Sequence, residues 1–152
     1  MNFKKVVICV VSLLLISAQT IGATVAEVKQ SIIRQANAMG VEPAIMLSIA
    51  KAESGFRQEA RGGGAVGVFQ LMPATAKRLG VNPYNMEENI KGGIQYYKNM
   101  YKAFGSMELA IAAYNVGPDR IRRSNNTVPT CAQSFVARIM KDYKYNLLIS
   151  VL

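Results

Sequence analysis

The 152-residue chain contains no histidine. A serine or cysteine nucleophile activated by an imidazole is therefore excluded. Only two cysteines are present, Cys9 and Cys131, so a zinc site built from histidine and cysteine is not expected. Acidic residues are also scarce, with 9 Asp and Glu against 18 Lys and Arg. Any carboxyl chemistry in this small chain must use few groups.

The N-terminus has the pattern of a secretory signal peptide. The basic stretch "MNFKK" precedes the apolar run "VVICVVSLLLISA", and small residues follow. We expect a signal peptide over residues 1–23, cleaved after Ala23, with Ala18 as the alternative site, and a single domain over 24–152. Polar residues from Gln19 onward leave the apolar run short for a membrane span, so we expect no stable membrane anchor. The expected location is exported and periplasmic.

Cleavage would remove Cys9 and leave Cys131 as the sole cysteine, so no internal disulfide could form. We interpret Cys131 as a buried thiol, with an intermolecular bridge as the alternative. An exported basic protein is not expected to bind nucleic acid. The dense cluster "RIRR", beginning at Arg120, is interpreted as a solvated face, or otherwise as a patch for an anionic surface.

The chain is helical in pattern throughout, which predicts an all-α fold, a compact helical domain. Apolar residues recur at helical spacing, and proline or glycine stands at the predicted boundaries. Pro43 suits the first turn of a helix that Gly55 ends. The glycine-rich "RGGGAVG", from Arg61 to Gly67, is a loop. No segment has a convincing strand pattern.

Glu53 ends an apolar stripe. Met46, Ile49, Ala50 and Glu53 lie on one face of the predicted helix from Pro43, so the glutamate is directed toward the interior or a cleft wall. Poor solvation of its charged form should raise its pKa, as a general acid requires. The alternative is that Glu53 simply points outward at a frayed helix end. A negative charge near the helix C-terminus interacts unfavourably with the helix dipole, so this position favours a functional role over a stabilising one.

Three polar side chains stand out in apolar surroundings after this helix. The loop residue Gln70 either ties down its own loop or directs its amide toward a substrate. Tyr114 and Asn115 end an apolar helix with groups that can donate and accept hydrogen bonds. The glycine loop itself allows close approach of an extended polymer, and it lacks the Gly-Lys-Ser/Thr ending of a phosphate-binding loop.

Four motifs together resemble the lytic transglycosylases, and more narrowly their soluble-type catalytic domain, which shares the goose-type lysozyme fold. They are "ESGF", "GAVGVFQLMPATA", "NIKGGIQYY" and "AIAAYNVGP". Their order and spacing match from about Ile45 to Pro118. The resemblance implies an all-helical, lysozyme-like fold.

The resemblance also implies an activity and site residues. Family members cleave the β-1,4 bond between N-acetylmuramic acid and N-acetylglucosamine in peptidoglycan and leave a 1,6-anhydro end. By motif position, Glu53 is the catalytic acid. Ser54, Gln70, Tyr114 and Asn115 are the implied substrate-binding residues. No cofactor and no metal are implied.

The chain departs from the family pattern around the glycine loop. Arg57 and Gln58 stand where Asn-Pro is usual, and Phe69 replaces the usual methionine. A serine common before the glycine motif has no clear counterpart, and the stretch from Glu53 to Gln70 is one residue shorter than expected. The loop is therefore expected to hold the glycan somewhat differently.

Two other functions remain open from the sequence: a hydrolytic goose-type lysozyme, and a catalytically weak glycan-binding assembly module. The expected binding partner is the peptidoglycan glycan strand. The small domain and the export signal lead to a further hypothesis. The protein would open the wall locally for an envelope-spanning secretion, conjugation or pilus machine, whose proteins would be partners.

Overall fold

The computed structural model describes residues 22–150, with the side chain of Ser150 excluded. The predicted signal peptide lies outside the described residues, apart from Gly22 and Ala23. Within the described part, the helices are α1 (Val25–Ala38), α2 (Pro43–Ser54), α3 (Pro73–Leu79), α4 (Met86–Phe104), α5 (Met107–Val116), α6 (Pro118–Arg123) and α7 (Thr130–Ser150). The all-α prediction is confirmed.

Local sequence sets the ends of these helices. Thr24 caps α1 in a reciprocal capping box with Glu27, whose backbone N–H donates to the threonine hydroxyl over 3.3 Å. Pro43 occupies the first turn of α2, and Gly55 ends it in the left-handed conformation at φ 61°. Ser106 caps α5 through the backbone N–H of Leu109. These caps explain why proline and glycine stand at the predicted boundaries.

The loop between α2 and α3 contains the one departure from the helical pattern in the described residues. Two short strands, β1 (Arg61–Gly62) and β2 (Ala65–Val66), pair antiparallel with Arg61 opposite Val66. Each strand has two residues, too few for an alternation of polar and apolar side chains to show in the sequence.

Within residues 22–150, the helices enclose one core cluster. Helix α2 packs against α1 and α7, and α5 packs against both α4 and α7. Fully buried core residues include Ile32, Ile49, Ile94, Ile111 and Ile139, contributed by five different helices. Helix α2, which carries Glu53, therefore runs through the packed centre of the domain.

The interpretation of Cys131 as a buried thiol is wrong. Cys131 is free and exposed. It lies in the first turn of α7, whose buried face is formed by Ala132, Val136 and Ile139. The cysteine is one residue out of step with that face, so its side chain lies at the surface.

No helix within residues 22–150 combines the length and the apolar character that are needed to cross a membrane.

Candidate active site

Glu53 lies in the last turn of α2, at the end of a buried stripe. Met46, Ile49 and Ala50 are fully buried, and Glu53 is half-buried. The helix is regular through Ser54, so the glutamate is held on the stripe and does not lie at a frayed end. The apolar pattern in the sequence therefore predicted the direction of this side chain.

The carboxyl of Glu53 has an unusual electrostatic environment. Burial raises its pKa from 4.5 to about 7, against an opposing effect of the Arg138 guanidinium. Among the described residues, no side chain or backbone group makes a hydrogen bond or ion pair with this carboxyl. A large fraction of the group is thus protonated near neutral pH, which suits proton donation.

Tyr114 lies beside Glu53 at the end of α5. Its hydroxyl donates a hydrogen bond of 2.8 Å to the backbone carbonyl of Phe69, and its ring packs on that of Tyr96 with centroids 5.0 Å apart. Burial, and then the nearby Glu53, raise the pKa of Tyr114 well above its usual value. Tyr114 is therefore a neutral phenol that joins α5 to the glycine loop next to the acid.

Ser54 is buried and its hydroxyl is used within the protein. It donates to the Val68 carbonyl over 2.7 Å and accepts from the backbone N–H of Arg57 over 3.1 Å. These bonds attach the returning half of the loop to the end of α2. The position of Ser54 favours holding the loop over contacting a sugar.

Gln70 also ties the loop together. Its side-chain amide donates to the carbonyls of Ala60 at 3.1 Å and Gly67 at 2.9 Å. Its backbone has φ 46°, in the left-handed region that non-glycine residues rarely adopt. The amide nitrogen of Gln70 therefore holds its own loop together. The residue also forms part of a cavity wall.

This cavity, of about 310 Å³, opens beside Tyr114. Gln70, Tyr114 and Asn115 line it together, and Asn115 is exposed at its edge. Tyr96 and Arg78 contribute to the same wall. The fold thus brings three of the five expected site residues to one cavity. Of the described residues, Glu53 and Ser54 do not line it, and Tyr114 connects its wall to the acid.

Asn89 is a site-supporting residue that the sequence reasoning missed. It is fully buried in α4, and its amide makes three hydrogen bonds: from Phe69 N–H (2.9 Å), to Val66 O (2.8 Å) and to Pro83 O (2.9 Å). It fixes the backbone at Phe69, the same residue whose carbonyl accepts from Tyr114. Its place in the "NIKGGIQYY" motif, directly before the apolar Ile90, was the available signal.

The two glycines of that motif explain how the loop reaches α4. A Cβ on Gly93 would collide with the ring of Phe69, and one on Gly92 would lie 2.8 Å from a methyl group of Leu71. Without side chains at these positions, Phe69 and Leu71 pack directly on the helix. The glycines inside α4 therefore cost helix propensity but position the loop.

Three other acids among the described residues are engaged elsewhere. Glu87 pairs with Arg34, and Asp119 pairs with Arg122. Glu88 accepts from the Asn82 backbone N–H over 2.8 Å. No second acid among the described residues contributes to the pKa of Glu53. Nor does this part of the chain hold a group of three or more His, Cys, Asp or Glu that could bind a metal.

The helical fold, with a half-buried carboxyl of raised pKa next to a tyrosine that lines a polar cavity, fits the lysozyme-like class. Residues 30–134, more than half of the chain, match the family model described as the transglycosylase SLT domain. The chain belongs to this family.

Two relatives share sequence with the chain. A transglycosylase of Enterobacteria phage PRD1 is 33% identical over 104 residues, which are 67% of this chain and 37% of that protein. The soluble lytic murein transglycosylase of Salmonella typhimurium is 35% identical over 89 residues, which are 50% of this chain and 14% of that protein. The chain thus spans about a third or less of the length of these relatives.

Two solved structures share the fold. The 70 kDa soluble lytic transglycosylase of Escherichia coli has a TM-score of 0.71 at 24% identity, over 80% of this chain and 24% of that one. An inactive glutamate-to-glutamine mutant of the lytic transglycosylase Slt from Pseudomonas aeruginosa has a TM-score of 0.59 at 28% identity. It covers 78% of this chain and 22% of its own.

Proposed function

We propose that the chain is a lytic transglycosylase that cleaves the β-1,4 bond between N-acetylmuramic acid and N-acetylglucosamine in peptidoglycan. The product would carry a 1,6-anhydro-N-acetylmuramic acid end. The observation that carries this proposal is the half-buried Glu53 carboxyl with a pKa of about 7, unpaired among the described residues. Family membership and the names of the relatives support the same activity.

One carboxyl is sufficient for this reaction. Protonated Glu53 donates its proton to the glycosidic oxygen as the C1–O bond breaks. The 2-acetamido group of the substrate stabilises the cation that develops at C1, as in substrate-assisted glycosidases. The resulting Glu53 carboxylate then removes the proton from the C6 hydroxyl as its oxygen bonds to C1. The C6 hydroxyl proton thus replaces the one that Glu53 gave to the leaving oxygen, the anhydro ring closes, and no water is consumed.

The surrounding residues have supporting roles in this scheme. Tyr114 fixes the wall beside the acid through its bond to the Phe69 carbonyl. Gln70 and Asn115 offer polar groups to a sugar in the cavity of about 310 Å³. Ser54 holds the loop in place behind them. Burial of the Glu53 environment favours the intramolecular C6 hydroxyl over water.

Mass analysis of the products tests the proposal. Purified peptidoglycan sacculi are digested with the protein, and the released muropeptides are measured. The expected products are anhydro-muropeptides, lighter by one water than their hydrolysed equivalents. Hydrolysed products would indicate a goose-type lysozyme instead. Binding to sacculi without any product would indicate a glycan-binding assembly module.

The proposed biological role is local opening of the wall for an envelope-spanning secretion, conjugation or pilus machine. The support is the signal-peptide pattern of residues 1–23, which would deliver a wall-cleaving enzyme to the periplasm. Deletion of the gene should impair assembly of such a machine and leave growth unchanged. A fall in bulk wall turnover on deletion would contradict this role.

A further inference from the structure

Arg138 is placed beside the catalytic end of α2 by the packing of α7. The amide of Asn146 donates to the Ser48 hydroxyl over 2.9 Å, and Lys51 pairs with Asp142 at 2.9 Å. The two helices therefore run antiparallel. A step of four residues back along α7, from Asn146 to Asp142, corresponds to a step of three residues forward along α2. One further turn brings Arg138 level with the last turn of α2, which holds Glu53.

The electrostatics agree with this register. Arg138 is the charged group that opposes the rise in the pKa of Glu53, so its guanidinium lies within the field of that carboxyl. It also lies at the C-terminal end of α2, where a cation is favoured by the helix dipole. Helix packing and charge thus both place this arginine at the edge of the active site.

The guanidinium of Arg138 is available to a ligand. The residue is exposed, and its guanidinium carbon lies over the Phe135 ring, 5.6 Å from the centroid. Among the described residues it has no hydrogen-bond or ion-pair partner. Two neighbouring cations differ: Lys51 is paired with Asp142, and the Arg57 Nε donates to the Ser54 carbonyl over 2.9 Å.

We propose that Arg138 binds a carboxylate of the peptide stem carried by the N-acetylmuramic acid unit whose bond is cleaved. The inference rests on the proposed function. Peptide stems are attached to the same sugar whose C1 reacts at Glu53, so a cation next to Glu53 lies next to the stem. A guanidinium that packs over an aromatic ring presents its planar fork of N–H groups to a carboxylate. Arg138 is then a specificity-determining residue that selects anionic, stem-bearing strands.

The test compares two forms of one substrate. Stem-bearing glycan strands are used either unmodified or after their carboxylates have been converted to primary amides with carbodiimide and ammonium. kcat/KM is measured on both for the wild type, Arg138→Gln and Arg138→Lys. Lys144→Gln is the matched control, because it removes one exposed positive charge from the same helix, farther from Glu53. The ratio of kcat/KM on the two substrates cancels any change in the pKa of Glu53.

The wild type and Lys144→Gln should prefer the unmodified strands by about fivefold, the upper range for an exposed ion pair. Arg138→Gln should lose this preference, and Arg138→Lys should retain part of it. An unchanged preference in Arg138→Gln would overturn the inference, as would an absence of preference in the wild type. Failure of the wild type to cleave either substrate would instead overturn the proposed function. Thermal melting of each variant verifies that the fold is intact.

Discussion

Glu53 and Glu87 lie in two different regions of the domain, and their pKa values shift in opposite directions. Glu87, at the contact of α1 and α4, accepts hydrogen bonds from Ser31, Arg34 and Gln35 at 2.7–2.8 Å. Burial opposes ionisation there, but these bonds outweigh it and lower the pKa of Glu87. Glu53 is more buried and has no such donors, so its pKa rises to about 7.

This difference shows what makes a carboxyl reactive in this fold. A glutamate surrounded by donors is an ionised structural group, whereas a glutamate in a mostly apolar wall keeps its proton near neutral pH. Acidic residues are scarce in the sequence, which drew attention to Glu53. Its reactivity comes from burial without hydrogen-bond donors, which raises its pKa. Four predictions test the contrast.

The largest expected effect is on activity. Glu53→Gln should lose at least roughly 10²–10⁴-fold in turnover, because the amide can neither donate the proton to the leaving oxygen nor take it back. Glu87→Gln, the matched control, should retain activity because its carboxylate lies outside the site. Clearing of a sacculus suspension measures both variants. Turnover by Glu53→Gln near the wild-type rate would remove Glu53 from the mechanism.

The second prediction concerns stability against pH. The raised pKa means that the folded state binds the Glu53 proton more tightly than the unfolded state between pH 4.5 and about 7. The free energy of unfolding should therefore fall as the pH rises through this range, by up to about 3 kcal/mol.

Glu53→Gln should remove this contribution and be more stable than the wild type at pH 8. Urea unfolding at pH 5 and pH 8 measures the difference between the two proteins. An equal pH dependence in both would show that the Glu53 carboxyl ionises in the folded protein as it does in the unfolded chain.

The third prediction concerns the loop wall beside the acid. Asn89→Ala should reduce the free energy of unfolding by about 2 kcal/mol, because Phe69 N–H and two buried carbonyls would lose their partner. The loop that Tyr114 contacts should loosen, and the pKa of Glu53 should move back toward 4.5. The alkaline limb of the pH–rate profile reports this shift. Asn99→Ala, an exposed asparagine in the same helix, is the control.

The smallest effect is expected at the contrasting site. Glu87→Gln should cost below about 1 kcal/mol at pH 7, because the side chain of Glu87 is 48% exposed and its ion pair is screened by solvent. Its pKa is lowered, so this stability is present above pH 4.5 and is lost as the pH falls through the folded value. The sign is opposite to that at Glu53. Stabilisation by Glu87→Gln at pH 7 would contradict the contrast.

The sequence by itself determined the helices and the direction of Glu53. Caps such as Thr24 and Ser106, the stops at Gly55 and Gly80, and the stripe from Met46 to Glu53 depend on residues within one or two turns. Such short-range physics can be read along the chain. The two-residue strands and the exposure of Cys131 could not be predicted from such local patterns.

Only the tertiary structure decided which distant groups surround the acid. Asn89 bonds to Phe69 across 20 residues of chain, Tyr114 reaches the same residue across 45, and Arg138 comes to Glu53 through the register of α7 on α2. These partners share no spacing pattern, because they meet through packing of whole helices. The pKa of Glu53 depends on what that packing excludes from its carboxyl as much as on what it brings near.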